Sequence, residues 1–261
     1  MQSLTLESAT ERSPGRLERV LPRLHAKAFT GGMIVLLFIL VGIFGPFMAP
    51  HDPNKQELTL MMKPPQGIGA INALGTDNLG RDILSRIIHG ARVSLLVAFA
   101  VVFVSGFIGV TLGAISGYFG GKVDFIIQKL VEVVWAFPPL LLGITIMAFL
   151  GQGLFNLILA LVAQRWIPYC RVVRAQALSL RERDFVVAAR GLGASQRQVI
   201  IRHIIPNLIQ TSLVIGTFAM ASSIISEASL SFLGVGVPPE IPTWGTMLAD
   251  ARIYISKAWW M

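Results

Sequence analysis

The sequence has little of what a soluble or disulfide-stabilised protein needs. Only 14% of its 261 residues are charged, whereas soluble domains carry about 25%. Cys170 is the single cysteine, which excludes an internal disulfide and a cysteine-based metal site. His25, His51, His89 and His203 lie far apart in the sequence and form no metal-ligand motif. The chain as a whole is 54% hydrophobic with a mean hydropathy of +0.67, which indicates a membrane protein.

Motifs for ATP hydrolysis and for common hydrolytic chemistry are also missing. The pattern GxxxxGK[ST] does not occur, so the chain cannot bind and hydrolyse ATP by that route. HExxH and GxSxG are absent too, and we expect neither catalytic residues nor a cofactor or metal in this chain. The formal net charge of +8 does not indicate nucleic-acid binding, because no basic patch is interleaved with aromatic residues. The positive charge is instead typical of cytoplasmic loops in a membrane protein.

Long apolar runs are the feature that the sequence has in abundance. They cover about 31–49, 93–117, 124–150, 154–169 and 208–233. Pro138 and Pro139 interrupt the third run, and Arg165 lies near the end of the fourth with a side chain that can reach the interface. The first run is too long for a signal-peptide core, so we interpret it as a retained span. The predicted fold class is all-α: a polytopic membrane protein with about five spans in 31–261 and an N-terminal tail, 1–30.

Lysine and arginine predict the orientation of these spans. The basic residues of the tail are Arg12, Arg16, Arg19, Arg23 and Lys27, and those between the fourth and fifth runs are Arg171, Arg174, Arg181, Arg183, Arg190, Arg197 and Arg202. Both basic segments are cytoplasmic if the N-terminus is cytoplasmic, so the loop 171–207 is predicted to face the cytoplasm. Five spans leave the C-terminus outside. The final KAWWM is typical of the aromatic belt before another helix, so we expect a sixth span to be missing from this chain.

The segment 181–207, RERDFVVAARGLGASQRQVIIRHIIPN, is the most distinctive part of the chain. Helix-forming residues continue to Arg190, glycines then interrupt the pattern, and a second amphipathic stretch is predicted to stop at Pro206. We expect a helix–turn–helix outside the bilayer. The small residues at its bend are Ala188, Ala189, Gly191, Gly193 and Ala194. Small residues allow another surface to approach the backbone closely, which favours a docking role.

This loop resembles the cytoplasmic loop of binding-protein-dependent ABC importers. The pattern of that family is Glu-Ala-Ala, three residues, Gly, nine residues and Ile-x-Leu-Pro. The matching positions are Ala188, Ala189, Gly193 and Pro206. Val187 stands in place of the glutamate, and His203 and Ile205 replace the isoleucine and leucine. Asp184 or Glu182 is a candidate substitute for the missing carboxylate.

Further segments narrow the resemblance to the dipeptide/oligopeptide/nickel permease subfamily, and within it to the C-type subunit of a heterodimeric pore. These segments are 74–95, 117–124 and 226–252, and the resemblance covers nearly the whole chain from about residue 30. It implies a permease of the bacterial cytoplasmic membrane, with a homologous permease, two ATP-binding subunits and an extracytoplasmic solute-binding protein as partners. ATP and Mg²⁺ would be bound by the ATPase subunits. Di- or oligopeptides are the leading cargo, with nickel chelates and glutathione as alternatives.

The resemblance also implies roles for individual residues. The predicted ATPase-coupling residues are Asp184, Ala188, Ala189, Arg190, Gly191, Gly193, Ala194 and Pro206. In this interpretation Gly193 forms the sharp turn. Arg190, Arg197 and Arg202 pair with acidic groups on the ATPase or with anionic lipid head groups. A secondary transporter driven by an ion gradient is the rival class, although it needs no docking loop and the sequence has no detectable inverted repeat.

Ionisable residues inside predicted spans are candidates for the transport path. Glu227 lies among serines of the fifth run and either contacts a cationic group of the cargo or pairs with a neighbouring helix and serine hydroxyls, the interpretation that we favour. Glu132 in the third run is a second candidate. In the first outer loop, the polar motif from Gly75 to Arg86 is either a solvated, self-paired helix on the membrane surface or a docking rim for the binding protein or the partner permease, and both readings stay open.

Overall fold

The computed structural model of this protein describes residues 26–67, 69 and 71–261. Most of the predicted cytoplasmic tail, 1–30, therefore lies outside the described residues. The chain divides into two units, one that ends at Leu40 and one that covers Val41–Met261. The described residues are mainly helical, and an isolated bridge between Thr76 and Asp82 is their only β-type pairing. The predicted all-α fold class is confirmed.

The helices follow the apolar runs of the sequence. They are α1 (Ala26–Met48), α2 (Ile83–Phe119), α3 (Gly121–Trp135), α4 (Pro139–Leu150), α5 (Leu154–Leu180), α6 (Asp184–Gly191), α7 (Gln196–Val199), α8 (Ile205–Phe232) and α9 (Trp244–Ala251). A 3-10 turn forms at Leu58–Leu60, and a π-helical turn at Ile200–Ile204 joins α7 to α8. A loop that begins at about residue 50 precedes α2, and its described residues are 50–67, 69 and 71–82.

Three described helices are long and apolar enough to cross a membrane: Phe29–Met48, Ile83–Phe119 and Gln196–Phe232. The pair α3–α4 adds a fourth span if its two parts, bent by 85°, cross together. Although α5 has 27 residues, it is not among these spans, because arginines and other polar residues lower its hydropathy. Length and composition thus support three or four of the five predicted spans.

The predicted third span is broken rather than continuous. Pro138 has extended backbone angles, φ −58° and ψ 133°, and Pro139 occupies the first turn of α4. A proline lacks the N–H that a helix interior requires, and it also disfavours helical angles at the residue before it. The two adjacent prolines therefore end α3 and start α4 in a new direction, which creates an elbow at residues 136–138.

Helices α2 and α5 pack closely through glycines. A Cβ atom added at Gly113 would lie 2.6 Å from the carbonyl oxygen of Cys170, and one at Gly117 would lie 2.5 Å from that of Arg174. A step of four residues along α2, from Gly113 to Gly117, corresponds to a step of four residues in the same direction along α5, from Cys170 to Arg174. The two helices therefore run parallel. Hydrogen bonds show the opposite relation for α8, because α5 residue 176 pairs with 211 whereas residue 165 pairs with 222.

Gly106, Gly109 and Gly113 of α2 lie on the face that packs against α5. A Cβ atom added at Gly109 would collide with the carbonyl oxygen of Trp166. One added at Gly113 would also be too close to its neighbour, as described above. Gly106 faces the ring of Tyr169 at an ordinary 3.6 Å. Close approach of helices through small residues is how membrane helices gain packing energy where lipid provides no hydrophobic driving force.

The predicted helix stop at Pro206 is wrong. The described helix continues from Gln196 to Phe232, 37 residues, with Pro206 in the first turn of α8. The π-helical turn Ile200–Ile204 directly precedes it. A π turn widens the helix locally, so that the proline ring can avoid the carbonyl group one turn earlier without a break. The second half of the predicted helix–turn–helix is therefore one rod that includes the fifth apolar run.

Candidate functional site

Helix α6 presents one apolar face inward and another outward. Val186 is fully buried and packs in a cluster with Val199 of α7. On the other side, the exposed fractions are 44% for Phe185, 54% for Val187 and 90% for Leu192. The buried face anchors the loop on the helical bundle, and the outer face leaves apolar side chains uncovered in the described structure.

The bend after α6 is a Schellman turn centred on Gly193. Its φ of +85° lies in the left-handed region that favours glycine. The Gly193 N–H donates to the carbonyl of Arg190 at 2.9 Å, and the Ala194 N–H donates to that of Ala189 at 3.0 Å. These are the two bonds that define the motif. The predicted sharp turn at Gly193 is confirmed.

The other predicted coupling residues lie mostly at the surface. Ala188, Arg190, Gly191, Gly193 and Pro206 are exposed, and Ala189 and Ala194 are half-buried. Asp184 is exposed in the first turn of α6, where a carboxylate suits the positive end of the helix dipole. Glu182 pairs with Arg181 at 3.5 Å, whereas Asp184 forms no ion pair with another described residue. Both candidate substitutes for the missing glutamate are thus exposed near the start of α6.

Two arginines connect this loop to the last turn of α2. The Arg190 guanidinium lies over the ring of Tyr118, 4.8 Å from its centroid. The Arg181 Nη1 donates to the carbonyl of Gly117 at 3.4 Å. Arg190 was expected to pair with a partner or with lipid, and the structure gives it an additional role within the chain.

A half-buried ion pair between α5 and α3, which the sequence did not predict, lies near the same turn of α2. Arg174 of α5 donates from Nε and Nη2 to the two carboxylate oxygens of Asp124 at 2.5 and 2.6 Å. The Ser116 hydroxyl also donates to Asp124 at 2.5 Å. Bidentate pairs of this type fix geometry as well as adding energy. The pair therefore holds α3 against α2 and α5 beside the loop.

Glu227 is completely buried among hydroxyl groups. Its Oε1 accepts hydrogen bonds from Ser231 at 2.9 Å and Thr243 at 2.8 Å, and its Oε2 accepts from Ser94 at 3.3 Å. These partners come from α8, α2 and the segment that begins α9. The contacts support the structural interpretation of this carboxylate over a direct contact with cargo.

Glu132, the second path candidate, lies elsewhere. It is exposed on α3 and pairs with Lys129 at 2.6 Å, one turn earlier on the same helix. The structure therefore does not bring Glu132 and Glu227 together into one site.

The family follows from comparison with known proteins. Residues 109–258 match the family described as the binding-protein-dependent transport system inner membrane component, and residues 24–65 match the N-terminal TM domain of oligopeptide transport permease C. The chain belongs to the binding-protein-dependent transport permeases. It is therefore a multi-pass protein of the inner membrane.

Individual relatives agree with this family. The permease is 40% identical over 241 residues to the di/tripeptide transport system permease protein DppC of Pseudomonas aeruginosa, which covers 91% of this chain and 80% of the relative. It is 39% identical to the oligopeptide transport system permease protein OppC of Bacillus subtilis, with 87% and 74% covered. Identity to the probable D,D-dipeptide transport system permease protein DdpC of Escherichia coli is 38%, with 88% and 76% covered.

The loop between α1 and α2, predicted above to be the first outer loop, carries a buried ionic network. Asp77 accepts hydrogen bonds from Arg81 Nε at 2.6 Å and from Arg86 Nη1 at 2.5 Å, and Arg81 also donates to Asp250 at 3.0 Å. Asp77, Arg81 and Arg86 are nearly inaccessible, so the interpretation of this segment as a solvated surface helix is wrong. The network joins the outer loop, α2 and α9, and sequence spacing could not reveal Asp250 as a partner.

The electrostatics of Asp77 explain how it stays charged. Burial raises the pKa of its carboxyl, but the backbone N–H groups of Arg81 and Leu79 and the charge of Arg81 together outweigh burial and hold the pKa below its ordinary value. Asp77 is therefore an anion at neutral pH. Together with Asp250, it neutralises the buried Arg81 and Arg86.

Proposed function

We propose that this chain is the membrane-spanning permease subunit of an ATP-driven importer of di- or oligopeptides. The family supports an importer that works with a binding protein. The three relatives cited above are named for peptide transport, which supports peptides over nickel chelates or glutathione as the cargo. In this proposal a homologous permease completes the pore, and an extracytoplasmic solute-binding protein delivers the peptide.

The exposed apolar tip of the loop 181–207 carries the coupling part of the proposal. Leu192 is 90% exposed at the end of α6, beside the exposed Val187 and Phe185. An apolar cluster on a loop rich in arginine is a typical docking surface for another protein. We infer that an ATPase subunit receives this tip in a groove, and that the ATPase subunits bind ATP and Mg²⁺.

The inner face of the loop explains how movement of the tip reaches the membrane. Val186, Val199 and Ile204 are fully buried in one cluster with helices α2 and α5. The helix that follows is continuous from Gln196 to Phe232. A displacement of the tip therefore moves this buried cluster and the helix Gln196–Phe232 together, because packed interiors deform little. In this mechanism, closure of the ATPase subunits changes the side to which the pore opens.

Substitution of Leu192 tests the docking proposal. We expect Leu192→Glu to weaken binding of the ATPase subunits to the purified permease pair roughly tenfold or more, because an apolar anchor of an interface becomes a charge. Ile253→Glu is the matched control, since Ile253 is 71% exposed but belongs to the outer part of the chain. Unchanged ATPase binding by the Leu192→Glu complex would contradict the docking site.

The energy source separates this proposal from the rival class. Uptake of a labelled peptide should stop when ATP is depleted and should persist when a protonophore collapses the proton gradient while ATP is held constant. Uptake that survives ATP depletion and stops with the proton gradient would instead establish a secondary transporter.

A further inference from the structure

Arg165 of α5 is held inside the bundle by neutral groups of α8. Its Nη1 donates to the Ser222 hydroxyl at 2.8 Å, and its Nη2 donates to the Ser222 carbonyl at 2.9 Å and to the Ser226 hydroxyl at 2.6 Å. The side chain was expected to reach the membrane interface. Instead, it is half-buried against the C-terminal third of the candidate span Gln196–Phe232.

No carboxylate within the described residues neutralises this guanidinium. No described aspartate or glutamate lies within ion-pair distance of Arg165. Glu227 follows Ser226 in the sequence but directs its oxygens to Ser94, Ser231 and Thr243. An acid is thus available on the same helix and is engaged elsewhere. A cation within membrane helices is costly and usually marks a partner or a substrate path.

A cavity of about 380 Å³ lies beside Arg165 at the elbow between α3 and α4. Trp135, Phe137 and Pro168 are among the residues that line it. The side chains of Arg165 and Gln164 contribute polar groups to the lining. The Gln164 amide donates to the carbonyl of Phe137 at 2.6 Å, which fixes the elbow. The volume falls within the range of roughly 300–1,000 Å³ that is typical of small-molecule sites.

We propose that Arg165 binds the carboxylate of a peptide as the peptide crosses the membrane, with the elbow cavity receiving its apolar part. This inference rests on the proposed function and adds a specificity-determining residue to it. A guanidinium has five N–H donors, and three are used by the serine contacts. The Nε–H and one Nη1–H remain, and because they point in different directions, a carboxylate oxygen accepts from one of them while the serines hold the planar group in one orientation. Neutral serines leave the positive charge available to an anion, whereas an acidic partner would have satisfied it.

Transport by the complete complex in proteoliposomes tests this proposal. The probes are a tripeptide with a free C-terminal carboxylate and the same tripeptide with a C-terminal amide, each at a concentration that saturates the binding protein. We expect Arg165→Gln to lower the ratio of acid to amide uptake by about tenfold, because a charge-assisted hydrogen bond to the carboxylate is lost. Arg165→Lys should restore part of the ratio, since it restores the charge without the fork.

Arg92→Gln is the matched control. It removes the same charge from an exposed position on α2, and Arg92 does not line the elbow cavity. The acid-to-amide ratio should stay at the wild-type value. Ser226→Ala is a second test if Arg165→Gln fails to assemble, and it should lower the ratio in the same direction by a smaller factor because the guanidinium loses one acceptor.

Several outcomes would overturn the inference. Equal loss of acid and amide uptake in Arg165→Gln and Ser226→Ala would assign Arg165 a structural role. A loss that occurs with phosphatidylglycerol but not with phosphatidylcholine would assign the guanidinium to an anionic lipid head group. If the wild-type complex imports peptides but the ratio of acid to amide uptake is the same in the Arg165 variants, only this inference fails. If wild-type complex imports neither peptide, the proposed cargo class fails and takes the inference with it.

Discussion

At the scale of single residues, Glu227 illustrates how this permease uses a buried carboxylate without a cation. Three hydroxyl groups donate to it, and they come from three different parts of the chain: Ser94, Ser231 and Thr243. Thr243 is also the N-cap of α9, where its hydroxyl accepts from the Thr246 N–H. Glu227 therefore connects the start of α9 to helices α2 and α8. This structural role requires no contact with cargo.

Substitution of Glu227 should separate hydrogen bonding from charge. Glu227→Leu leaves three buried hydroxyl groups without their acceptor, and we expect it to lower the free energy of unfolding by at least about 2 kcal/mol. Glu227→Gln keeps an acceptor oxygen, so its loss should be clearly smaller. Thermal unfolding of the purified complex measures both. A selective loss of peptide uptake in Glu227→Gln with unchanged unfolding temperature would contradict the structural role and favour a cargo contact.

At the scale of helices, the α2–α5 seam depends on missing side chains. An added Cβ atom at Gly113 would meet the carbonyl oxygen of Cys170 at 2.6 Å, closer than real contacts allow, whereas one at Gly106 would meet only the Tyr169 ring at 3.6 Å. We expect Gly113→Ala to destabilise the permease by roughly 1–3 kcal/mol through overpacking, and Gly106→Ala to be nearly neutral. Thermal unfolding of the two variants in the same detergent tests this difference. Equal unfolding temperatures would show that the helices separate without cost.

The outer-loop network should make stability depend on acid. The folded pKa of Asp77 is held below its ordinary value of 3.8, so the stability that its charge contributes is complete above about pH 4 and is lost as pH falls through the folded pKa. At neutral pH, Asp77→Asn should cost about 3–5 kcal/mol, because two buried arginines lose a partner. On acidification below pH 4, the wild type should approach the variant.

Unfolding temperatures between pH 7 and pH 3 measure this effect. Asp52→Asn is the control, since Asp52 is exposed and its carboxylate accepts only from the Asn54 N–H. It should follow the wild type at every pH. A constant difference between Asp77→Asn and the wild type across the range would show that the Asp77 charge does not titrate in this window.

Residue types and their spacing predicted the structure of short segments in this chain. They did not predict contacts between residues that are distant in the sequence. The turn at Gly193 could be predicted, since a glycine after a helical run is the usual residue for a left-handed position. The pair of Asp124 and Arg174 spans 50 positions, and the contact of Arg81 with Asp250 spans 169. Periodicity shows which face of a segment is apolar and cannot show which residue lies opposite it.

The continuation of the helix through the first turn of α8 shows a different limit. A proline was interpreted as a stop, because its missing N–H and its ring normally end a helix. Here the π-helical turn Ile200–Ile204 accommodates it. Nothing in the residue types of that turn marks it as π-helical, and packing of Ile204 and Leu208 in the core stabilises the continuous form.

At the scale of the whole permease, helix directions give more information about topology than hydropathy does. Because α2 and α5 run parallel, the chain must return to the opposite side between Phe119 and Leu154. The bent pair α3–α4 is the connection available for that return. With 27 residues, α5 is about 40 Å long, which exceeds the roughly 30 Å of a hydrocarbon core. These directions favour five crossings, including the two that composition leaves open.

Cysteine labelling tests this topology directly. Cys170 is fully buried, and Cys170→Ser provides a background for single cysteines at two exposed positions, Gln152 before α5 and Arg183 after it. In spheroplasts, a membrane-impermeant maleimide should label Gln152→Cys at once and Arg183→Cys only after permeabilisation. Asn54→Cys in the outer loop is the positive control for outside labelling. Labelling of Gln152→Cys and Arg183→Cys from the same side would mean that α5 does not cross and that the α3–α4 pair is re-entrant, which would also remove Arg165 from the membrane interior.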